Sequence, residues 1–131
     1  MQYEELEKEL QVEIEKAEEI AIGYIQKRID YSPFIYFVDN NIKKFIADSL
    51  DDAIELATEE IEGMDEETVV LIYKETIELN DGDFDAIVSQ IYNVNEDSAY
   101  SFGLLYKIES DTIKFLNKRV FLGDIRNCLI C

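Results

Sequence analysis

The chain has 131 residues, 30 of them Asp or Glu and 12 Lys or Arg, giving a net charge of −18, and it contains no His. That balance excludes a phosphate-binding surface for nucleic acid or anionic lipid, which needs clustered Lys and Arg, and the lack of His removes the side chain that titrates nearest neutral pH. With 47% hydrophobic residues the chain is apolar enough to fold around one core, and one domain over residues 1–131 is the expectation for this length.

The opening residues Met1-Gln2-Tyr3-Glu4-Glu5 have neither the basic nor the apolar region of a signal peptide. No apolar run approaches the ~20 residues of a membrane span, so a cytoplasmic location is expected. From Gln2 to about Ile29, Leu6, Leu10, Ile14, Ala17, Ala21 and Ile25 recur every three or four residues and predict a long amphipathic helix. Ser32 before Pro33 reads as a helix start, and Phe34, Phe37, Val38, Ile42, Phe45 and Ile46 fit a second helix. Ser49 caps a predicted third helix, with Asp51 and Asp52 in its first turn and Leu50, Ala53, Ile54, Ala57 and Ile61 on its apolar stripe; Gly63 ends it. Asp65 reads as the cap of a fourth helix over about 66–79, although Val69-Val70-Leu71-Ile72-Tyr73 would serve equally well as a buried strand.

Asn80-Asp81-Gly82 is a turn signal, and Asp83 then reads as the cap of a short helix carrying Phe84, Ile87, Val88 and Ile91. After the polar stretch 93–98, Phe102, Leu104, Tyr106 and Ile108 alternate, as do Ile113 and Phe115 across Glu109-Ser110-Asp111, which predicts a β-hairpin. Gly123 reads as a breaker before a short closing element with Ile125, Leu129 and Ile130. The expected fold is α+β and predominantly helical, with about five helices over roughly 1–93 and an antiparallel hairpin with its closing element over roughly 99–131.

Local motifs point to no cofactor, metal or catalytic group. Cys128 and Cys131 have the spacing of a redox pair, but the terminal carboxylate beside Cys131 opposes thiolate formation; a terminal Cys also suits a prenylation box poorly. Asp81, Asp83 and Asp85 match the start of a calcium loop, yet Ala86 stands where that loop needs Gly and Tyr92 where it needs Glu. There is no nucleophile elbow, phosphate loop or dinucleotide fingerprint, and enzyme activity is not expected.

The charge distribution says more. Residues 45–106 hold seventeen acids and one base, Lys74, whereas residues 107–131 hold three acids and five bases. Asp48, Asp51, Asp52, Glu55, Glu59 and Glu62 share one side of the third predicted helix, opposite Ala53, Ala57 and Ile61. Between residues 50 and 62 the acids fall at about one per 3.3 Å of helix axis, close to the ~3.4 Å spacing of phosphates along one DNA strand. With Asp81, Asp83 and Asp85, these residues are the predicted contact surface for a basic protein, and Tyr73 and Tyr92 are candidate anchors beside it.

No motif matches a family residue by residue. In size, acidity and lack of catalytic apparatus the chain resembles in kind the small inhibitors of nucleic-acid enzymes: phage DNA-mimic antirestriction proteins, anti-CRISPR proteins and nuclease immunity proteins. The likeness implies a non-enzymatic decoy that occupies a basic surface of a nucleic-acid-handling protein without binding nucleic acid itself. The alternative is a structural or adaptor domain, associating for instance through the apolar stripe of the first helix.

Overall fold

The computed structural model describes residues 1–130. A single 3-10 turn (Tyr3–Glu5) leads into α1 (Lys8–Gln26), a short hairpin of β1 (Phe34–Phe37) and β2 (Asn41–Lys44), and α2 (Leu50–Glu62). A meander of long strands follows: β3 (Thr68–Leu79), β4 (Gly82–Asn93), β5 (Ser98–Glu109) and β6 (Thr112–Arg126). All six strands form one antiparallel sheet in the order β2-β1-β3-β4-β5-β6. The predominantly helical expectation is therefore wrong, because a six-stranded sheet with two α-helices takes the place of about five helices and one hairpin.

The two helices cover opposite faces of the sheet. Leu10, Ile14, Ala17, Ala21 and Ile25 of α1 pack with Phe34, Tyr36, Val70, Ile72, Ile87, Ile91, Phe102 and Leu104. Ala53, Ala57 and Ile61 of α2 pack with Ile35, Val69, Leu71, Tyr73, Ala86, Val88, Tyr92 and Leu105. Successive strand residues point to opposite faces, so a strand covered on both sides is apolar throughout.

Two-sided burial explains two of the three misread segments, and a tight turn explains the third. In β3, Val69, Leu71 and Tyr73 lie beneath α2 while Val70 and Ile72 lie beneath α1, so the continuous run is a buried strand and Asp65 caps no helix. In β4, Phe84 and Val88 face α2 and Ile87 and Ile91 face α1; two interleaved alternations imitate a 3.6-residue period, and Asp83 lies within the strand. In the segment after Pro33, Asp39 and Asn40 both adopt left-handed backbone, φ 59° and 62°, which no α-helix contains. They are the central residues of a tight turn closed by the amide of Asn41 on the carbonyl of Val38, pairing β1 with β2. Short polar Asp and Asn tolerate this conformation well.

Other expectations are met locally. The third predicted helix is α2, with the Ser49 hydroxyl accepting from the Asp52 amide at 3.1 Å and Gly63 at its C-cap. Asn80-Asp81 is the turn between β3 and β4, followed by Gly82 at φ +126°, a backbone region that favours glycine. The predicted hairpin is β5–β6, pairing Glu109 with Thr112 across Ser110-Asp111. Gly123, however, does not break the chain: at φ +141° it sits inside β6 opposite Ser101, where the register shifts.

Candidate interaction surface

Ala53, Ala57 and Ile61 are nearly or fully buried on the side of α2 that faces the sheet. The opposite side of the helix must then face outward. Asp51, Asp52, Glu55, Glu59 and Glu62 are all exposed there, and Asp48 is exposed just before the Ser49 cap. The acidic side read from the spacing is thus a continuous surface. Asp51 and Asp52 also lie in the first turn, where the partial positive charge of the helix end favours them.

Tertiary structure trims this surface in a way the spacing did not reveal. Lys43 on β2 reaches Glu60 at 2.8 Å, and Arg126 at the end of β6 pairs with Glu62. Both edges of the sheet therefore neutralise the C-terminal end of α2. Among the described residues Asp48, Asp51, Asp52, Glu55 and Glu59 take part in no ion pair. From Asp51 to Glu59 this leaves four carboxylates over about 12 Å of axis.

The remaining predicted site residues do not join them. Asp81 is exposed in the β3–β4 turn, while Asp83 and Asp85 occupy the same parity of β4 as Ile87, which packs under α1. They therefore project from the face of the sheet opposite to α2. Asp85 lies 3.5 Å from the Thr76 hydroxyl on the neighbouring strand, and no calcium loop forms, because residues 82–93 are extended. Among the described residues no group of three or more potential ligands could hold a metal ion.

Tyr73 and Tyr92 are not surface anchors either. Both are buried beneath α2, where the Tyr92 hydroxyl donates to Gln90 Oε1 at 2.7 Å and Gln90 Nε2 donates to the Tyr73 hydroxyl at 3.1 Å. Burial first, and then the nearby negative charge of Glu75, pushes the Tyr73 phenol up. Cys128 is buried against the same network and its thiol is likewise pushed up by burial, the reverse of an activated thiol. Cys131 lies outside the described residues.

A second acidic feature escaped sequence reading because its parts are far apart in the chain. A groove of about 750 Å³ runs between α1 and the β1–β2 turn, closed by the connection into β3. Its walls carry Glu9, Glu13, Asp39, Glu66 and Glu67 against one base, Lys16, which lies 3.7 Å from Glu13. Val12 and Val38 contribute exposed apolar surface to it, beside Tyr36, whose hydroxyl donates to Asn40 Oδ1 at 2.7 Å. Burial raises the Tyr36 phenol, with Glu13 and Asp39 adding to the effect. Glu66 and Glu67 come from the connection between α2 and β3.

No helix is long and apolar enough to cross a membrane among the described residues. In comparisons with known proteins, no family model, no curated protein and no solved structure matches this chain.

Proposed function

We propose that this chain is a non-enzymatic acidic binding protein that occupies a basic surface of a nucleic-acid-handling protein, as a decoy for the nucleic acid. The observation that carries this reading is the outer side of α2, where Asp48, Asp51, Asp52, Glu55 and Glu59 stand exposed and without cationic partners among the described residues. Like charges this close repel, and the chain leaves them unneutralised while supplying Lys43 and Arg126 to Glu60 and Glu62 nearby. The Ala53, Ala57 and Ile61 underside holds the array on the sheet, so little conformational freedom is lost on binding.

The adaptor reading through α1 loses its main support, because the stripe Leu10, Ile14, Ala17, Ala21 and Ile25 is already buried on the sheet. The discriminating experiment uses native protein and the quadruple variant Asp51→Asn, Asp52→Asn, Glu55→Gln, Glu59→Gln as baits in a lysate of the source organism. The expected result is a nucleic-acid-binding protein held by the native bait alone and released both by salt and by added duplex DNA. Retention of the same partner by both baits, indifferent to DNA, would sink the decoy reading.

A further inference from the structure

The groove between α1 and the β1–β2 turn combines features that select one kind of occupant. Its carboxylates come from three separate segments: Glu9 and Glu13 on α1, Asp39 in the turn, and Glu66 and Glu67 before β3. They do not converge tightly enough to hold a metal ion, and a bare cation would gain nothing from Val12 and Val38, which are 40% and 52% exposed within the same groove. An anion is repelled. A cation carried on an apolar stem satisfies both the walls and the apolar surface, and a volume of about 750 Å³ accommodates such a side chain with its flanking backbone.

We propose that this groove receives a lysine or arginine side chain from a basic segment of a partner protein, its methylenes against Val12 and Val38 and its charged head among Glu9, Glu13, Asp39, Glu66 and Glu67. This inference rests on the basic partner proposed above and adds a second, concave contact to the convex one on α2. The two contacts have different chemistry. On α2 the carboxylates lie along a convex, solvated helix and act at long range, whereas the groove sets carboxylates on its walls beside apolar surface that recognises the stem.

The test is an amide-resolved NMR titration of the full chain with an acetylated, amidated hexa-arginine peptide, using the hexacitrulline peptide of the same shape as the uncharged control. Saturable shifts are expected at Val12, Val38 and Thr68 with arginine and not with citrulline. The variant Glu9→Gln, Glu13→Gln, Glu66→Gln should weaken those shifts about tenfold in affinity. The exposed substitution Val38→Arg, which supplies the groove with its own guanidinium, should do the same, and the two variants check each other against misfolding. The α2 quadruple variant should leave the groove shifts in place.

Shifts confined to α2, or groove shifts unchanged in both groove variants, overturn the groove proposal while leaving the α2 reading standing. Conversely, if the α2 quadruple variant still captures its partner and the groove variants do not, the α2 reading fails and the groove is the principal contact.

Discussion

The two helices cover the same sheet by opposite means. α1 spreads nineteen residues over its face and inserts Leu10, Ile14 and Ile25, with the buried carboxylate of Glu18 clasped by Arg119 on β6. That guanidinium also lies 4.6 Å from the ring of Tyr3, so the segment before α1, the helix and the edge strand are joined at one point. α2 has thirteen residues and presents mostly alanine to its face, and its ion pairs, Lys43–Glu60 and Arg126–Glu62, are solvent-exposed. The difference teaches that α1 is built into the core, whereas α2 is laid on it with its outer surface unconstrained by packing. Stability should therefore follow changes in α1, and binding should follow changes in α2.

The sharpest test of that division is Ile14→Ala. Ile14 is fully buried beneath α1, and its truncation should cost about 4 kcal/mol, read from urea unfolding at constant m-value. A cost below about 1 kcal/mol would mean that α1 is no better anchored than an exposed helix.

Next in size is Arg119→Ala, which strands Glu18, 3% exposed, without its partner at 2.6 Å. The expected loss is about 3 kcal/mol, at the low end for a buried pair because Arg119 itself keeps a quarter of its surface in water. Burial raises the Glu18 carboxyl above its ordinary value, and the pairing with Arg119 opposes that shift only in part. The folded protein thus holds this proton more tightly than the unfolded chain. The contribution of Glu18 to stability is accordingly largest at acid pH and falls as pH rises from about 4.5 through the folded value. The difference in unfolding free energy between native protein and Glu18→Gln, measured from pH 4 upward, should show this slope; a difference that grows more favourable to the native protein with rising pH would contradict it.

On α2, Ser49→Ala removes the hydroxyl that accepts from the Asp52 amide and should cost about 1 kcal/mol. The smallest effect is expected from the quadruple Asn and Gln variant of the outer side, in which relief of like-charge repulsion offsets the loss of Asp51 and Asp52 from the positive helix end, for a net change within about 0.5 kcal/mol of zero at low salt. A loss above about 1 kcal/mol would show that these carboxylates hold the fold together, and would end the division of labour between the two helices.

How much of this was legible depended on how many faces an element buries. α1 and α2 each bury one side, so Leu10, Ile14, Ala17 and Ala21, and Ala53, Ala57 and Ile61, appear at helical spacing, with Ser49 and Gly63 marking the ends of α2. β5 and β6 are legible because Phe102, Leu104, Tyr106 and Ile108 alternate with residues such as Gly103 and Lys107, as Ile113 and Phe115 alternate across Lys114. β1 and residues 69–73 of β3 are buried on both sides and their unbroken apolar runs carry no period that distinguishes strand from helix, while the interleaved apolar positions of β4 imitate a helical one. The Asp39-Asn40 pair held missing information, and the turn read at Asn80-Asp81-Gly82 joins two strands rather than two helices, since short polar residues and glycine between apolar runs signal hairpins. For the surface, helical spacing placed the α2 acids together correctly, but it could not show that Arg126 would return to Glu62 or that Asp83 and Asp85 would face the other way. The groove was beyond reach, because Glu9, Asp39 and Glu66 become neighbours only through the fold.

The strand order has a consequence for how the chain reaches its native state. Every neighbouring pair in the sheet except β1–β3 is also consecutive in sequence, so most of the sheet can assemble by successive hairpin closures. α2 occupies the one excursion, between β2 and β3, and makes its contacts on a surface those hairpins must first create. Its outer residues should then be absent from the rate-limiting step, and altering them should change the unfolding rate rather than the folding rate. A surface placed there can be rewritten for a new partner without slowing the birth of the fold that carries it.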